Sequence, residues 1–137
     1  MKDFLDILKS NLEERGKSIN EIIKDEIVSE NTLYKYRKRN PNLKTLIKIA
    51  NYLEFSIDYL FDLTEENDFH PYLAPENFYT NLINLISAKK ISGRKFCSDL
   101  NYSKDNLNRW KNGVQPSVRT LVEIAKYLNC TIDELIR

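Results

Sequence analysis

The sequence is short of the residues that build phosphate-cradling loops, metal sites and disulfide frameworks. Its 137 residues include three glycines, two cysteines and one histidine. Gly16, Gly93 and Gly113 lie too far apart to make a glycine-rich phosphate loop. Cys97 and Cys130 are too few for a disulfide scaffold, and His70 has no cysteine near it, so no metal site is expected. No apolar run approaches the ~20 residues that a bilayer-spanning helix needs. The first residues, MKDFLDILKS, carry acids where a signal peptide would be apolar. These absences argue against an enzyme, a metalloprotein and a membrane protein. The expectation is a cytoplasmic chain with no catalytic residues and no cofactor.

What the chain does have is a repeat. Across Pro41 to Phe61, a shift of 75 residues gives ten identical pairs in 21 positions, among them Thr45/Thr120, Ala50/Ala125, Tyr52/Tyr127 and Asp58/Asp133. Upstream the shift is 74, and Phe4/Phe78, Leu8/Leu82, Ser18/Ser92, Asp25/Asp99, Ser29/Ser103 and Leu33/Leu107 coincide. A repeat makes one sequence into a two-line alignment, in which positions apolar in both copies belong to the core. Cys97 and Cys130 pair with the apolar Ile23 and Phe55, so both read as small core residues. The charge is not shared evenly. Residues 1–77 hold 11 basic and 15 acidic side chains (−4), and residues 78–137 hold 10 and 5 (+5). The first half nevertheless has a local basic strip: Asn31 to Leu53 contains Lys35, Arg37, Lys38, Arg39, Lys44 and Lys48 and no acid.

Each copy reads as a string of short helices. Phe4, Leu8 and Leu12 recur at helical spacing, as do Phe78, Leu82 and Ile86. Gly16 suits the end of the first helix. Ser18 and Ser92 are N-caps for a second helix, and Ser29 and Ser103 for a third. The third helix turns Leu33 and Tyr36, or Leu107 and Trp110, to the core. Pro41 and Pro116 break the chain before a fourth helix with the stripe Leu43, Leu46, Ile47, Ala50 and Leu53, or Val118, Leu121, Val122, Ala125 and Leu128. A last short helix follows Ser56 or Thr131. Between the copies, residues 62–77 hold five acids and two prolines and read as a linker, with Pro75 at the first position of a new helix and Phe69, Tyr72 and Leu73 able to pack.

Two short helices joined by a tight turn, the second basic at its end, form a helix-turn-helix arrangement. Asn101 stands where that turn needs a positive φ, which Asn tolerates. In the first copy Ile27 is expected at that place, where a β-branched residue is unfavourable. The stretch FCSDLNYSKDNLNRWKNGVQPSVRTLVEIAKYLNCTIDELI resembles the Cro and phage-repressor family. The resemblance extends over all five helices of the second copy; Asn112, Gly113, the proline and the closing Thr-Ile-Asp-Glu-Leu stand at the family's spacing. It implies an all-α fold of two tandem five-helix, lambda-repressor-like domains: residues 1–61, a divergent copy; 62–77, the acidic linker; and 78–137, the closer match. Both copies depart from the family where the second helix starts, with Ile19 and Gly93 in place of a phosphate-contacting Gln.

By the same resemblance, the third helix enters the major groove, which is wide enough for one α-helix. Its base-reading residues would be Lys104, Asp105 and Arg109, with Asn106 and Asn108 on the margins, and Asn31 and Lys35 in the first copy. Arg109 and Lys104 suit guanine O6/N7, and Asp105 suits cytosine N4. Ser103, Arg94, Lys111 and Asn112, with Arg37, Lys38 and Arg39, would hold phosphate. The implied function is a sequence-specific transcriptional regulator binding double-stranded DNA, a repressor of the phage or mobile-element kind. A homodimer stays open and would carry four readers. So does an antitoxin-like interaction protein, in which only the second domain binds DNA and the first binds a protein partner.

Overall fold

The computed structural model describes residues 3–73 and 77–137, which contain ten helices and no strand. The all-α expectation agrees with this. The chain divides into two compact units, Met1–Leu73 and Ala74–Arg137. Pro75 lies outside the described residues.

The first unit holds α1 (Phe4–Glu14), α2 (Ile19–Lys24), α3 (Glu30–Lys35), α4 (Leu43–Leu53) and α5 (Ile57–Leu60). Polar caps set most of the starts. Asp3 accepts from the Asp6 amide, Ser18 from Glu21, Ser29 from Thr32, Asn42 from Thr45 and Ser56 from Tyr59. Each of these bonds satisfies one of the amides that a helix start leaves unpaired. Gly16, at φ 69°, closes α1, with the Lys17 amide reaching back to the Leu12 carbonyl at 2.8 Å. Arg15 closes the far end of α4: its guanidinium donates to the Leu53 and Glu54 carbonyls at 2.6 and 3.0 Å and lies 4.5 Å from the centre of the Phe55 ring. The apolar stripes meet in one core of Phe4, Leu8, Leu12, Ile22, Leu33, Leu46, Ala50, Leu53, Ile57 and Leu60. Ile49, outside the expected stripe, is also fully buried, so α4 is enclosed over a wider arc than its sequence pattern suggested.

Residues 62–73 belong to this unit. Tyr72 is buried, and its hydroxyl accepts from the Ile57 amide at 2.8 Å. The Asn51 side chain bonds both the amide and the carbonyl of Tyr72. Asn67 does the same for the Ser56 amide and the Glu54 carbonyl. An acidic segment is thereby fastened across the α4–α5 corner by amide side chains, not by apolar bulk alone.

The second unit repeats the plan with α6 (Phe78–Ala88), α7 (Gly93–Leu100), α8 (Asp105–Lys111), α9 (Val118–Leu128) and α10 (Ile132–Ile136). Its core is Phe78, Leu82, Ile86, Phe96, Leu121, Ile124, Ala125, Leu128, Ile132 and Leu135. Two repeated details define the shared frame. Phe4 meets the edge of Tyr36 at 5.1 Å and 87°, and Phe78 meets Trp110 at 5.3 Å and 86°. The Tyr52 hydroxyl donates to Asp25 at 2.6 Å, and that of Tyr127 to Asp99 at 2.5 Å. The first contact ties the third helix to the first helix, and the second ties the end of the second helix to the fourth. A third detail recurs from non-equivalent positions: Asn11 donates to the Leu60 carbonyl, and Asn81 to that of Leu135.

Candidate nucleic-acid interface

In the second unit, Ser92 caps α7 by accepting from the Lys95 amide at 3.1 Å. Asn101 ends it at φ 62°, as expected. The Tyr102 amide returns to the Cys97 carbonyl at 2.8 Å and that of Asn101 to Ser98 at 3.2 Å, which satisfies the last carbonyls of the helix. Tyr102 then folds its ring under the turn, 6.0 Å from both Phe96 and Trp110, and donates to Glu123 at 2.8 Å. Burial, then that bond, raise its pKa. A further contact concerns how closely the two helices approach. A Cβ added at Gly93 would stand 3.1 Å from Cδ1 of Leu107, so the missing side chain lets α7 approach α8 closely.

Ser103 does not cap α8 as Ser29 caps α3. Its hydroxyl accepts from the Asp105 amide, two residues on, at 3.1 Å, and the helix begins at Asp105. At about 100° per residue, Lys104, Asp105, Asn108 and Arg109 share an arc of about 140°, with Trp110 and Leu107 turned to the other side. The accessibilities agree: Lys104, Asp105, Asn108 and Arg109 are exposed, Asn106 and Leu107 are half-buried and Trp110 is buried. Ser103, Arg94, Lys111 and Asn112 are exposed around this arc. Among the described residues, no ion pair engages Arg94, Lys104, Arg109 or Lys111. Lys95 instead pairs with Asp99 at 3.1 Å. The Tyr127 hydroxyl, and then Lys95, hold the Asp99 carboxyl below the usual carboxylate range. The acid on this helix thus serves the frame and leaves the outer cations free.

The first unit also joins two short helices, α2 and α3, by a turn, but with a different hinge and different chemistry. Here the left-handed residue is Glu26, at φ 58°, not Ile27. The Ile27 amide bonds the Ile22 carbonyl and the Glu26 amide that of Ile23. The expectation of strain at Ile27 is therefore corrected: the left-handed residue comes one position earlier than in the second unit, and the extra residue falls in the turn, where Val28 is buried. On α3, Glu30, Asn31, Tyr34 and Lys35 are exposed, and Leu33 and Tyr36 are buried. Burial raises the Tyr36 pKa. Arg37 lies 3.8 Å from Asp3, whereas Lys38 and Arg39 are exposed without an ion pair among the described residues. Several outer positions change charge between copies: Asn20, Glu21 and Glu30 stand where Arg94, Lys95 and Lys104 stand in the second unit.

No group of three or more metal-ligating side chains gathers among the described residues, and no helix there is long and apolar enough to cross a membrane. Cys97 is buried, and burial pushes its thiol up.

The α7–turn–α8 unit, with its left-handed Asn101 and its outward basic helix, is a helix-turn-helix. Residues 81–137 match the family model for the Cro/C1-type HTH DNA-binding domain, so the chain carries one such domain, a DNA-binding module of transcription regulators. No curated protein and no solved structure matches the chain.

Proposed function

We propose that the protein is a sequence-specific transcriptional regulator, acting in the cytoplasm as a repressor, in which α8 enters the major groove of double-stranded DNA. Lys104, Asp105 and Arg109 read base edges there, with Asn106 and Asn108 beside them. Ser103, Arg94, Lys111 and Asn112 hold the flanking phosphates. The observation that carries this is the arc of exposed side chains on α8, its cations without an ion pair among the described residues, set at the turn of a Cro/C1-type domain. In the first unit α3 acts as a second reader through Asn31 and Lys35, with Arg37, Lys38 and Arg39 on phosphate. The two reading sets differ, so one chain recognises an asymmetric site. Linking two readers raises the effective concentration of the second. The acidic replacements on α2 and α3 favour a second reading, in which only the second unit binds DNA and the first binds a protein partner.

DNA selected by the full chain from a random pool supplies the operator for the test. Arg109→Ala is expected to relax base preference at one position and to weaken binding by about 1–3 kcal/mol. If α3 also contacts DNA, Lys35→Ala with Lys38→Ala lowers affinity and flattens its dependence on salt. A salt dependence untouched by that pair leaves only the second reading standing, and an Arg109→Ala protein with unchanged preference overturns the first.

A further inference from the structure

We propose that Tyr34 is a base-reading residue of the first unit, its ring packing on the 5-methyl group of a thymine. This rests on the reading that α3 contacts DNA. Five of the chain's eight tyrosines use their hydroxyls to hold the fold: Tyr52, Tyr59, Tyr102 and Tyr127 donate to Asp25, Glu14, Glu123 and Asp99, and Tyr72 accepts from Ile57. Tyr34 has no such bond among the described residues and is 67% exposed. Its place in the repeat is that of Asn108, on the outer arc of α8. On α3, helical geometry puts it one turn beyond Glu30 and Asn31 and between them in angle, so it points the way the helix's base-facing edge points. Lys35, Lys38 and Arg39 follow with no ion pair among the described residues, and Arg37 is held only loosely by Asp3. An aromatic ring among cations on an outward helix face fits a polyanion that also offers apolar surface. On the major-groove edge of DNA that surface is the thymine methyl. Glu30, on the same side, is an exposed carboxylate that disfavours phosphate nearby.

The test uses the full chain and its selected operator, with thymines replaced one at a time by uracil, which removes the methyl and nothing else. One such replacement in the half-site protected by the first unit should weaken binding about fourfold, the worth of one buried methyl group. Tyr34→Ala should bind more weakly than the parent and be indifferent to that replacement, while Tyr34→Phe keeps the sensitivity. If Tyr34→Ala loses affinity yet feels every replacement as the parent does, the ring lies on the backbone and the proposal fails. It fails as well if Tyr34→Ala binds like the parent. Lys35→Ala with Lys38→Ala separates the two levels. A loss of affinity there with none in Tyr34→Ala removes only this proposal, and no loss in either removes DNA contact by the first unit altogether.

Discussion

Arg109 and Trp110 are neighbours in sequence, about 100° apart around α8, one exposed and one buried, and replacing each by alanine should move a different measurement. Trp110 is 8% exposed and packs edge-on against Phe78 at 5.3 Å and Tyr102 at 6.0 Å. Removing a buried indole costs about 3–5 kcal/mol. A unit the size of Ala74–Arg137 has a total stability of roughly 3–10 kcal/mol. Trp110→Ala should therefore consume most or all of it, and the second unit should unfold well before the first. Trp110→Phe, which keeps a ring against Phe78, should lose about 1–2 kcal/mol and remain folded. Arg109 is exposed with no ion pair among the described residues, so Arg109→Ala should stay within about 0.5 kcal/mol of the parent while DNA binding falls as above. Urea unfolding followed by circular dichroism, beside a binding titration on the folded variants, gives both readouts. A Trp110→Ala protein within 1 kcal/mol of the parent, or an Arg109→Ala protein as unstable as Trp110→Ala, would refute the assignment of these two faces.

Other consequences concern the turns and the tyrosines. Glu26 holds a left-handed backbone that glycine adopts without penalty, so Glu26→Gly should stabilise the first unit by up to about 1 kcal/mol. Asn101→Val, at the equivalent turn, should cost about 1–3 kcal/mol; thermal unfolding reads both, and opposite signs would show the turn geometry to be wrong. The Tyr52 hydroxyl is bonded to Asp25, which, followed by desolvation, pushes its pKa up to about 12 from an ordinary 10.0. A raised acid favours the folded state while protonated. Its contribution is thus complete below about pH 10 and lost as pH rises toward 12. Tyr52→Phe should remove that part of the alkaline loss of stability, and superimposable pH curves for parent and variant would count against the bond.

The frame was legible because the chain states it twice. Leu8/Leu82, Leu46/Leu121 and Ile57/Ile132 are buried in both units, and the serines at 18, 92 and 29 cap helices where they were expected. The turn of the first unit was not legible. The offset between copies changes from 74 to 75 along the chain, and Asn101 pointed to Ile27 as its partner, whereas backbone hydrogen bonding pairs it with Glu26. Residues 62–73 read as a linker because four acids and Pro71 fall among them, with Pro75 just beyond. What pins them is side-chain amide bonding from Asn51 and Asn67, which leaves no periodic trace. Gly93 could be seen only as a departure from the family; its value, the close approach of Leu107, exists only in three dimensions. On the outer face, the identities of Lys104, Asp105 and Arg109 were readable, but their freedom from ion pairs was not.

The tyrosine–aspartate bond that recurs as Tyr52–Asp25 and Tyr127–Asp99 has a consequence for engineering. It anchors the helix before the turn to the helix after α3 or α8, and it uses no side chain of the outward arc. A transplant of one reading surface onto the other chassis should therefore leave the anchor intact. The cut points matter, however: the one-residue difference lies inside the turn, between Glu26 and Ser29 in one copy and Asn101 and Ser103 in the other. A graft of Lys104 to Arg109 alone would place a foreign helix on the wrong hinge, whereas a graft beginning at Asn101 carries its own hinge with it.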